Sequence, residues 1–291
     1  MTHTFLDRPS RSVGNSRQRL RGPLVSCCTA LVLLAAPAYA GQDPSPSQQQ
    51  QPNAVVPSSP DFLLGRPHAS IGVRGNWLMA TAGSDIYDFV SEHLTIEKSD
   101  FNTATFATDL AIYATPRLDI VAGFEAADSE IPSAYRGYSE TVSGSATTIP
   151  IQQVTELNQM HFTGSVKFGL LPRGKQISRL AWIPRTFVPY VGAGAGVTRY
   201  TFRQTGDFVD FATENRAAGT FRIFTDVFQS DGWAPSLHAF GGTHIMVFKR
   251  LYLTLEGRYT SVYAELDQDF IDFEPMDLSG FRFGAGINFV F

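Results

Sequence analysis

The chain has 291 residues, of which 43% are hydrophobic and 17% charged, and its formal charge is −4. This slightly acidic balance disfavours a nucleic-acid partner, since proteins that bind nucleic acids present basic surfaces. The two cysteines are adjacent, at Cys27 and Cys28, so the rest of the chain offers no thiol for a disulfide, a nucleophile or a zinc site.

Residues 1–40 have the layout of a secretory signal peptide. Five arginines precede an apolar run from Leu24 to Ala36, and small residues flank Tyr39 at the end of the segment. The run is too short for a membrane-spanning helix. Cleavage after Ala40 would remove both cysteines and leave 18 basic and 26 acidic residues, a formal charge of −8. We therefore expect export, with a cytoplasmic amphipathic tail as the alternative.

Residues 41–64 are rich in proline, serine and glutamine and contain little that could be buried. This composition predicts a disordered linker. Such a linker would act as a spacer behind the signal peptide, or as a tether to something in the periplasm. The folded domain is then expected over residues 65–291.

Alternation of apolar and polar residues predicts eight strands in this domain. They lie at about residues 69–79, 101–114, 118–127, 154–171, 187–202, 233–248, 251–262 and 281–291. Short or compact connections alternate with long ones, which is typical of transmembrane barrels with short periplasmic turns and long extracellular loops. An even strand number also lets an antiparallel sheet close without edges. We predict an all-β, eight-stranded up-and-down transmembrane barrel; a soluble barrel with an aromatic core is the alternative.

The last strand carries apolar residues at every second position and ends in phenylalanine. In this respect it resembles the assembly signal of bacterial outer-membrane β-barrels. The resemblance implies that the barrel-assembly machinery recognises the apolar face, which comprises Phe281, Phe283, Ile287, Phe289 and Phe291.

Residues 65–291 as a whole resemble the small outer-membrane barrel families around the OmpA membrane domain and OmpW. The signal peptide, the linker, the eight strands and the terminal phenylalanine together carry this resemblance. Two segments are similar to ones common in such barrels, PYVGAGAG at Pro189–Gly196 and EGRY at Glu256–Tyr259. It implies a monomer in the lipid of the cell outer membrane. No OmpA-type peptidoglycan-binding domain follows the last strand, so that anchoring role is not carried over. We expect a structural or surface-interaction role; passive transport or binding of small solutes, including apolar ones, as in OmpW-like barrels, is the alternative.

The inward faces of the predicted strands carry charges of both signs. They are Arg74, Asp109, Asp119, Glu125, Lys167, Glu256, Arg258 and Arg282. An eight-stranded barrel is just wide enough for side chains to fill it, and buried charges have to be paired. We expect a filled bore with a network of Arg74, Glu256, Arg258 and Arg282, and an ion or solute path is the alternative.

Nucleophilic catalysis requires a serine, a histidine and an acid within hydrogen-bond reach. His161 and Ser165 share a strand face but lie about 13 Å apart by the rise per residue. Ser236 and His238 are closer, yet no acid of known geometry lies beside them. We therefore expect no enzyme and no cofactor, and a lipid-modifying hydrolase is the weakest of the three hypotheses.

Two predicted loops share the pattern Asp-Phe-x-Asp-Phe, at Asp207–Phe211 and Asp269–Phe273. We expect the phenylalanines to pack above the barrel mouth while the acids stay solvated; a carboxylate site for Ca²⁺ or Mg²⁺ is the alternative. The acids concerned are Asp207, Asp210, Asp269, Asp272 and Glu274. Another loop, Ser84 to Leu94, is predicted to form a short helix capped by Ser84.

Aromatic residues near strand ends suggest an interfacial girdle. They are Trp77, Trp182, Tyr190, Tyr200, Trp233 and Tyr263. The connection from Pro172 to Arg185 is basic and contains apolar residues, including Trp182. It is predicted to lie along the membrane interface, with a solvated turn as the alternative.

Overall fold

The computed structural model of the protein describes residues 63–141, 148–215 and 220–291. The predicted signal peptide and almost all of the predicted linker lie outside the described residues. Leu63 and Leu64, at the end of that linker, form a short strand. No helix within the described ranges has the length and hydropathy needed to cross a membrane.

The described chain is mainly β-structure. Its strands are β1 (Leu63–Leu64), β2 (Ala69–Ala80), β3 (Thr103–Tyr113), β4 (Leu118–Thr141), β5 (Thr148–Gly169), β6 (Gly174–Ser178), β7 (Ala181–Pro184), β8 (Phe187–Asn215), β9 (Thr220–Phe248), β10 (Leu251–Ala264), β11 (Met276–Asp277) and β12 (Gly280–Val290). One α-helix, α1 (Asp85–His93), and two 3-10 helices, Lys98–Phe101 and Gln268–Phe270, lie in the connections.

Eight of these strands form a closed antiparallel ring in chain order: β2, β3, β4, β5, β8, β9, β10 and β12. The ring closes because β12 pairs along its whole length with both β10 and β2. A closed sheet has no unpaired edge, which is the requirement for a sheet surrounded by lipid. The predicted fold class is therefore confirmed.

Two of the long connections are continued strands rather than loops. Strands β8 and β9 each have 29 residues, whereas about 9–11 residues suffice to cross a bilayer. The β4–β5 pair is extended in the same way. The predicted strand ends near residues 127 and 202 were therefore wrong: the chain there keeps its pairing, and only the character of the two faces changes.

The outward side chains of the barrel wall are apolar and exposed, which defines a lipid-facing belt. Among them are Ile71 (51% exposed), Phe106 (56%), Leu237 (66%) and Phe283 (55%). Trp77, Trp233 and Tyr263 also point outward, with exposures of 52–60%. The other three aromatics of the predicted girdle, Trp182, Tyr190 and Tyr200, are buried, because they occupy inward positions.

At one end of the barrel, which we call the cap, α1 and the strand extensions enclose an apolar core. The core includes Ile86, Val90, Leu94, Ile96, Phe101, Tyr200, Phe202, Phe208, Phe270, Met276 and Leu278. The predicted helix is present, and Ser84 occupies its N-cap position without making a side-chain cap. Instead, Ser84 Oγ accepts the backbone N–H of Asp277 at 3.1 Å.

The opposite end, which carries the tight turns at residues 114–117 and 249–250, we call the turn end. Here β1, β7 and β6 form a separate three-stranded sheet. Trp182 lies on this sheet, is 6% exposed and borders a cavity below the barrel. The prediction that this connection lies along the membrane therefore fails for Trp182, because the strand pairing turns its ring inward.

Candidate functional site

The candidate site is the interior of the barrel, which we call the bore. Period-two alternation aims every second side chain inward, and the structure places all eight predicted charged residues there. Most are almost fully enclosed: Arg282 is 2% exposed, Asp119 3% and Lys167 5%. Charges at this depth need partners, and the structure arranges them in three groups.

The first group surrounds the carboxylate of Glu256. Arg74 Nη1 donates to Glu256 Oε2 at 2.9 Å, and Arg258 Nη2 donates to Oε1 at 2.9 Å. The Tyr190 hydroxyl donates to Oε2 at 2.8 Å. Arg74 also lies 3.4 Å from Asp109 Oδ1. Each oxygen of Glu256 thus accepts two hydrogen bonds, Oε1 from Arg258 and Oε2 from Arg74 and Tyr190.

The second group surrounds Glu125 on β4. Arg282 Nε lies 3.0 Å from Glu125 Oε1, and Thr105 Oγ1 donates to the same oxygen at 2.6 Å. Arg282 Nη2 is 2.9 Å from His161 Nε2, and His161 Nδ1 is 2.7 Å from Thr198 Oγ1. With Arg282 as donor, His161 accepts at Nε2 and donates from Nδ1.

The expected single network of four residues was therefore wrong for Arg282. In the register of β10 and β12, Arg282 lies directly opposite Arg258. Like charges at opposed positions repel, so the Arg282 guanidinium reaches across the bore to Glu125 instead. The strand order alone could not show this, because it does not fix the register.

The third group, near the turn end, surrounds Asp119. Lys167 Nζ lies 3.7 Å from Asp119 Oδ2, and Arg173 donates to the other oxygen. The Arg173 guanidinium also lies 3.9 Å from the centre of the Tyr113 ring. Lys167 is 3.2 Å from His244 Nε2. Sequence reasoning missed Arg173, because it belongs to a connection and not to a barrel strand; its position in a basic segment was the only available signal.

The charges balance in the first two groups but not in the third. Three arginines face three carboxylates around Glu256 and Glu125, counting Asp109. At the turn end, Lys167 and Arg173 share the single carboxylate of Asp119. Positive charge is therefore in excess at that end of the bore.

A serine and a histidine meet in the bore, in a pairing that the sequence did not indicate. Ser165 Oγ on β5 lies 2.7 Å from His238 Nε2 on β9. His238 Nδ1 has no hydrogen-bond partner among the described residues, and neither has Ser236 Oγ. Ser236 and His238, which share a strand face, are not joined by a hydrogen bond in the described structure. A nucleophile–base pair without an acid to orient the base lacks the third member of a triad.

Glycines on β8 make room for these large side chains. A Cβ atom on Gly192 would lie 2.3 Å from the Phe240 ring, and one on Gly194 would lie 2.7 Å from His238 Nε2. In the GAGAG run, the small residues Gly192 and Gly194 therefore lie opposite the large side chains of Phe240 and His238 on β9.

The described side chains leave little space between the first two charge groups. The cavity between the first two groups has a volume of about 10 Å³ and is lined by Arg74, Glu125, His161 and Arg258, among others. That is room for about one water molecule. The apolar core of the cap lies at the end of the barrel opposite the turn end. The arrangement can hold charges rigidly, but it leaves no space for a solute between its groups.

The predicted acidic residues lie in the cap in two different settings. Asp207 and Asp210 belong to strand β8 and not to a loop. Asp269 lies in a 3-10 helix and accepts the Gln229 N–H at 3.2 Å; its neighbour Asp267 accepts the Asp231 N–H at 3.0 Å. Asp272 and Glu274 follow that helix. No group of three metal-ligating side chains occurs in the described part of the chain.

Buried tyrosines in the cap are held neutral by their surroundings. Burial raises the pKa of Tyr87, and it raises the pKa of Tyr135 to about 12. Both belong to the apolar core, where an ionised phenol would have no water around it. The cap thus has the interior of a water-soluble domain.

No protein-family model matches the chain, and no curated protein matches its sequence. Among solved structures it is similar to Neisserial surface protein A, with 10% identity over 77% of this chain and 97% of that one and a TM-score of 0.42. It is also similar to outer membrane protein OprG from Pseudomonas aeruginosa (11% identity, 79% and 99%, TM-score 0.42). The outer membrane protease OmpT from Escherichia coli is a further match (12%, 79% and 98%, TM-score 0.37).

Similarity at this level assigns no activity to the chain. Its own architecture, a closed ring of eight antiparallel strands with an apolar outer belt, is that of an outer-membrane β-barrel. The resemblance to small outer-membrane barrels is thereby confirmed.

Proposed function

We propose that this protein is a sealed barrel of the cell outer membrane whose role is structural or lies in surface interactions of its cap. The filling of the bore carries this proposal. Three arginines and three carboxylates pair across it, and the space left between them is about 10 Å³. A path for small solutes would need a continuous wet cavity.

The cap is the part that such a barrel would present to its surroundings. Its strand extensions have polar outer faces, with ion pairs such as Arg199–Asp231 at 3.3 Å and Arg203–Glu156 at 3.5 Å. A rigid, extended β-surface on a sealed membrane anchor suits contact with another surface better than it suits transport.

Single-channel conductance of the refolded protein in planar bilayers tests this proposal. We expect no stepwise current, since the bore is occupied. Glu256→Gln, which alters the centre of the bore, and Lys98→Gln, which alters an exposed cap residue, should give the same flat trace. Resolved current steps that change with Glu256→Gln but not with Lys98→Gln would contradict the sealed bore and favour the transport alternative.

We further propose that the barrel-assembly machinery recognises β12. The outward face of β12 presents Phe283, Ile287 and Phe289, and Phe291 follows directly, all with 45–55% exposure. Phe291→Ser should lower the amount of heat-modifiable barrel in the outer membrane while export continues. Phe168→Ser, at an outward position of β5 with 43% exposure, serves as the matched control and should leave assembly unchanged. Normal assembly of the Phe291→Ser variant would refute this role.

A further inference from the structure

A cavity of about 100 Å³ lies at the turn end, between the bore and the three-stranded sheet of β1, β7 and β6. Four of its fourteen lining residues are aromatic: Tyr113, Trp182, His244 and Tyr252. The half-buried Arg66 and the exposed Gln176 also line it and mark its opening to solvent. It is about ten times larger than the cavity inside the charge groups.

Several hydrogen-bond donors border this cavity without a partner. Among the described residues, nothing accepts the indole N–H of Trp182, the hydroxyl of Tyr252 or the guanidinium of Arg66. Trp182 and Tyr252 are each only 6% exposed, and buried tryptophan and tyrosine side chains usually find an acceptor. The missing acceptors would be supplied by a ligand.

The charge around the cavity has one sign. Arg66 and Arg173 line it, and no aspartate or glutamate does. Arg173 shares the carboxylate of Asp119 with Lys167, so one positive charge there stays uncompensated. Partly desolvated walls strengthen the attraction between this charge and an anion.

We propose that the cavity binds a small organic anion that consists of one flat apolar ring and a carboxylate. The ring would lie among Tyr113, Trp182 and Tyr252, and the carboxylate would accept hydrogen bonds at the opening from Arg66. The cavity is smaller than the enclosed apolar cavity of about 150 Å³ that holds benzene, so a single ring is the largest group that it admits, and the carboxylate has to lie at the opening. The site is separate from the first two charge groups and shares Arg173 with the third.

Benzoate is the probe that we would use, with the refolded full chain in detergent or lipid. In a variant with Trp77→Phe and Trp233→Phe, Trp182 is the only tryptophan, so its emission reports on the cavity. Benzoate should change this emission with saturation. Benzyl alcohol, which keeps the ring, and inorganic phosphate, which keeps only the charge, should each bind at least tenfold more weakly.

Arg66→Gln should weaken benzoate binding at least fivefold. Arg250→Gln removes the same charge from the same end of the barrel without lining the cavity, and it should leave binding within twofold. Val188→Phe, which fills the cavity, should abolish saturation while heat-modifiability is kept. The proposal is overturned if benzoate does not saturate, if phosphate binds equally well, or if Arg66→Gln and Arg250→Gln weaken binding alike.

Discussion

The bore and the cap are built from the same strands, yet the apolar side chains point outward around the bore and inward in the cap. On β8, the membrane-crossing part turns Gly192 and Thr198 inward and exposes Val191 and Val197. Beyond residue 199, most inward positions are apolar: Tyr200 and Phe202 are each 1% exposed and Phe208 is 5% exposed, although Gln204, also 5% exposed, is polar. Outward positions there are polar, and Arg199 and Arg203 form ion pairs.

This contrast shows that the period of two determines which residues share a face, whereas the surrounding solvent decides which face is apolar. Lipid around the wall favours apolar side chains on the outer face, so the charged side chains lie inside the barrel and pair there. Water around the strand extensions favours polar side chains on the outer face and apolar side chains inside. The change occurs near Trp233, over whose ring Arg199 lies at 5.6 Å, as expected for a residue at the membrane interface.

The sharpest test of the bore is the removal of one partner from a buried pair. Glu125→Gln leaves the Arg282 guanidinium, 2% exposed, without its charge partner. We expect a loss of about 3–5 kcal/mol in the free energy of unfolding, measured by urea titration in lipid vesicles. Asp88→Asn breaks the exposed cap pair with Lys98 and should cost at most about 1 kcal/mol. Equal losses would mean that the bore pairs are not buried as described.

An outward-facing residue is replaced by arginine once on the lipid-facing wall and once on the cap extension, to compare the outer faces of these two regions. Leu255→Arg puts a charge on the lipid-facing wall, where Leu255 is 43% exposed, and should cost about 2–4 kcal/mol near the bilayer midplane. Val227→Arg alters a residue of similar exposure, 48%, on the extension of β9. There the charge meets water, so we expect a change within about 0.5 kcal/mol. A large cost at Val227 would place the extension in lipid.

The interior of the cap is tested by deleting a single methyl group. Ile96 is fully buried, so Ile96→Val should destabilise the cap by about 0.5–1.5 kcal/mol. Protease susceptibility of the cap at intermediate urea concentrations measures this loss. Ile71→Val on the lipid-facing wall, where Ile71 is 51% exposed, is the control and should cost less. The reverse order would indicate a loosely packed cap.

The smallest expected effect is a change in the stability of the cap that occurs only at high pH. The pKa of Tyr135 is raised to about 12, against about 10 for an unfolded tyrosine. The unfolded state therefore loses its proton first, so this contribution to stability is complete below pH 10 and is lost as the pH rises to 12. Tyr135→Phe should flatten the pH dependence of cap proteolysis in that window, and Tyr263→Phe, at an exposed site, should not. An unchanged slope in Tyr135→Phe would exclude this residue as the cause.

The sequence by itself determined the barrel, its eight strands and the faces of its wall. Arg74, Lys167 and Glu256 could be placed in the bore because alternation is a local property of an extended chain. The same alternation indicated the outward face of β12, and the helical period of 3.6 residues indicated the apolar stripe of α1.

Only the tertiary structure decided which residues meet. Ser165 and His238 are 73 positions apart in the chain. Arg282 pairs with Glu125 and not with Glu256 because of the strand register, which depends on many backbone pairs that are distant in the sequence. The inward burial of Trp182 and the place of Arg173 depend on a sheet assembled from β1 and the β6–β7 hairpin. Contacts across a barrel depend on the stagger of all its strands, and no local pattern in the sequence carries that information.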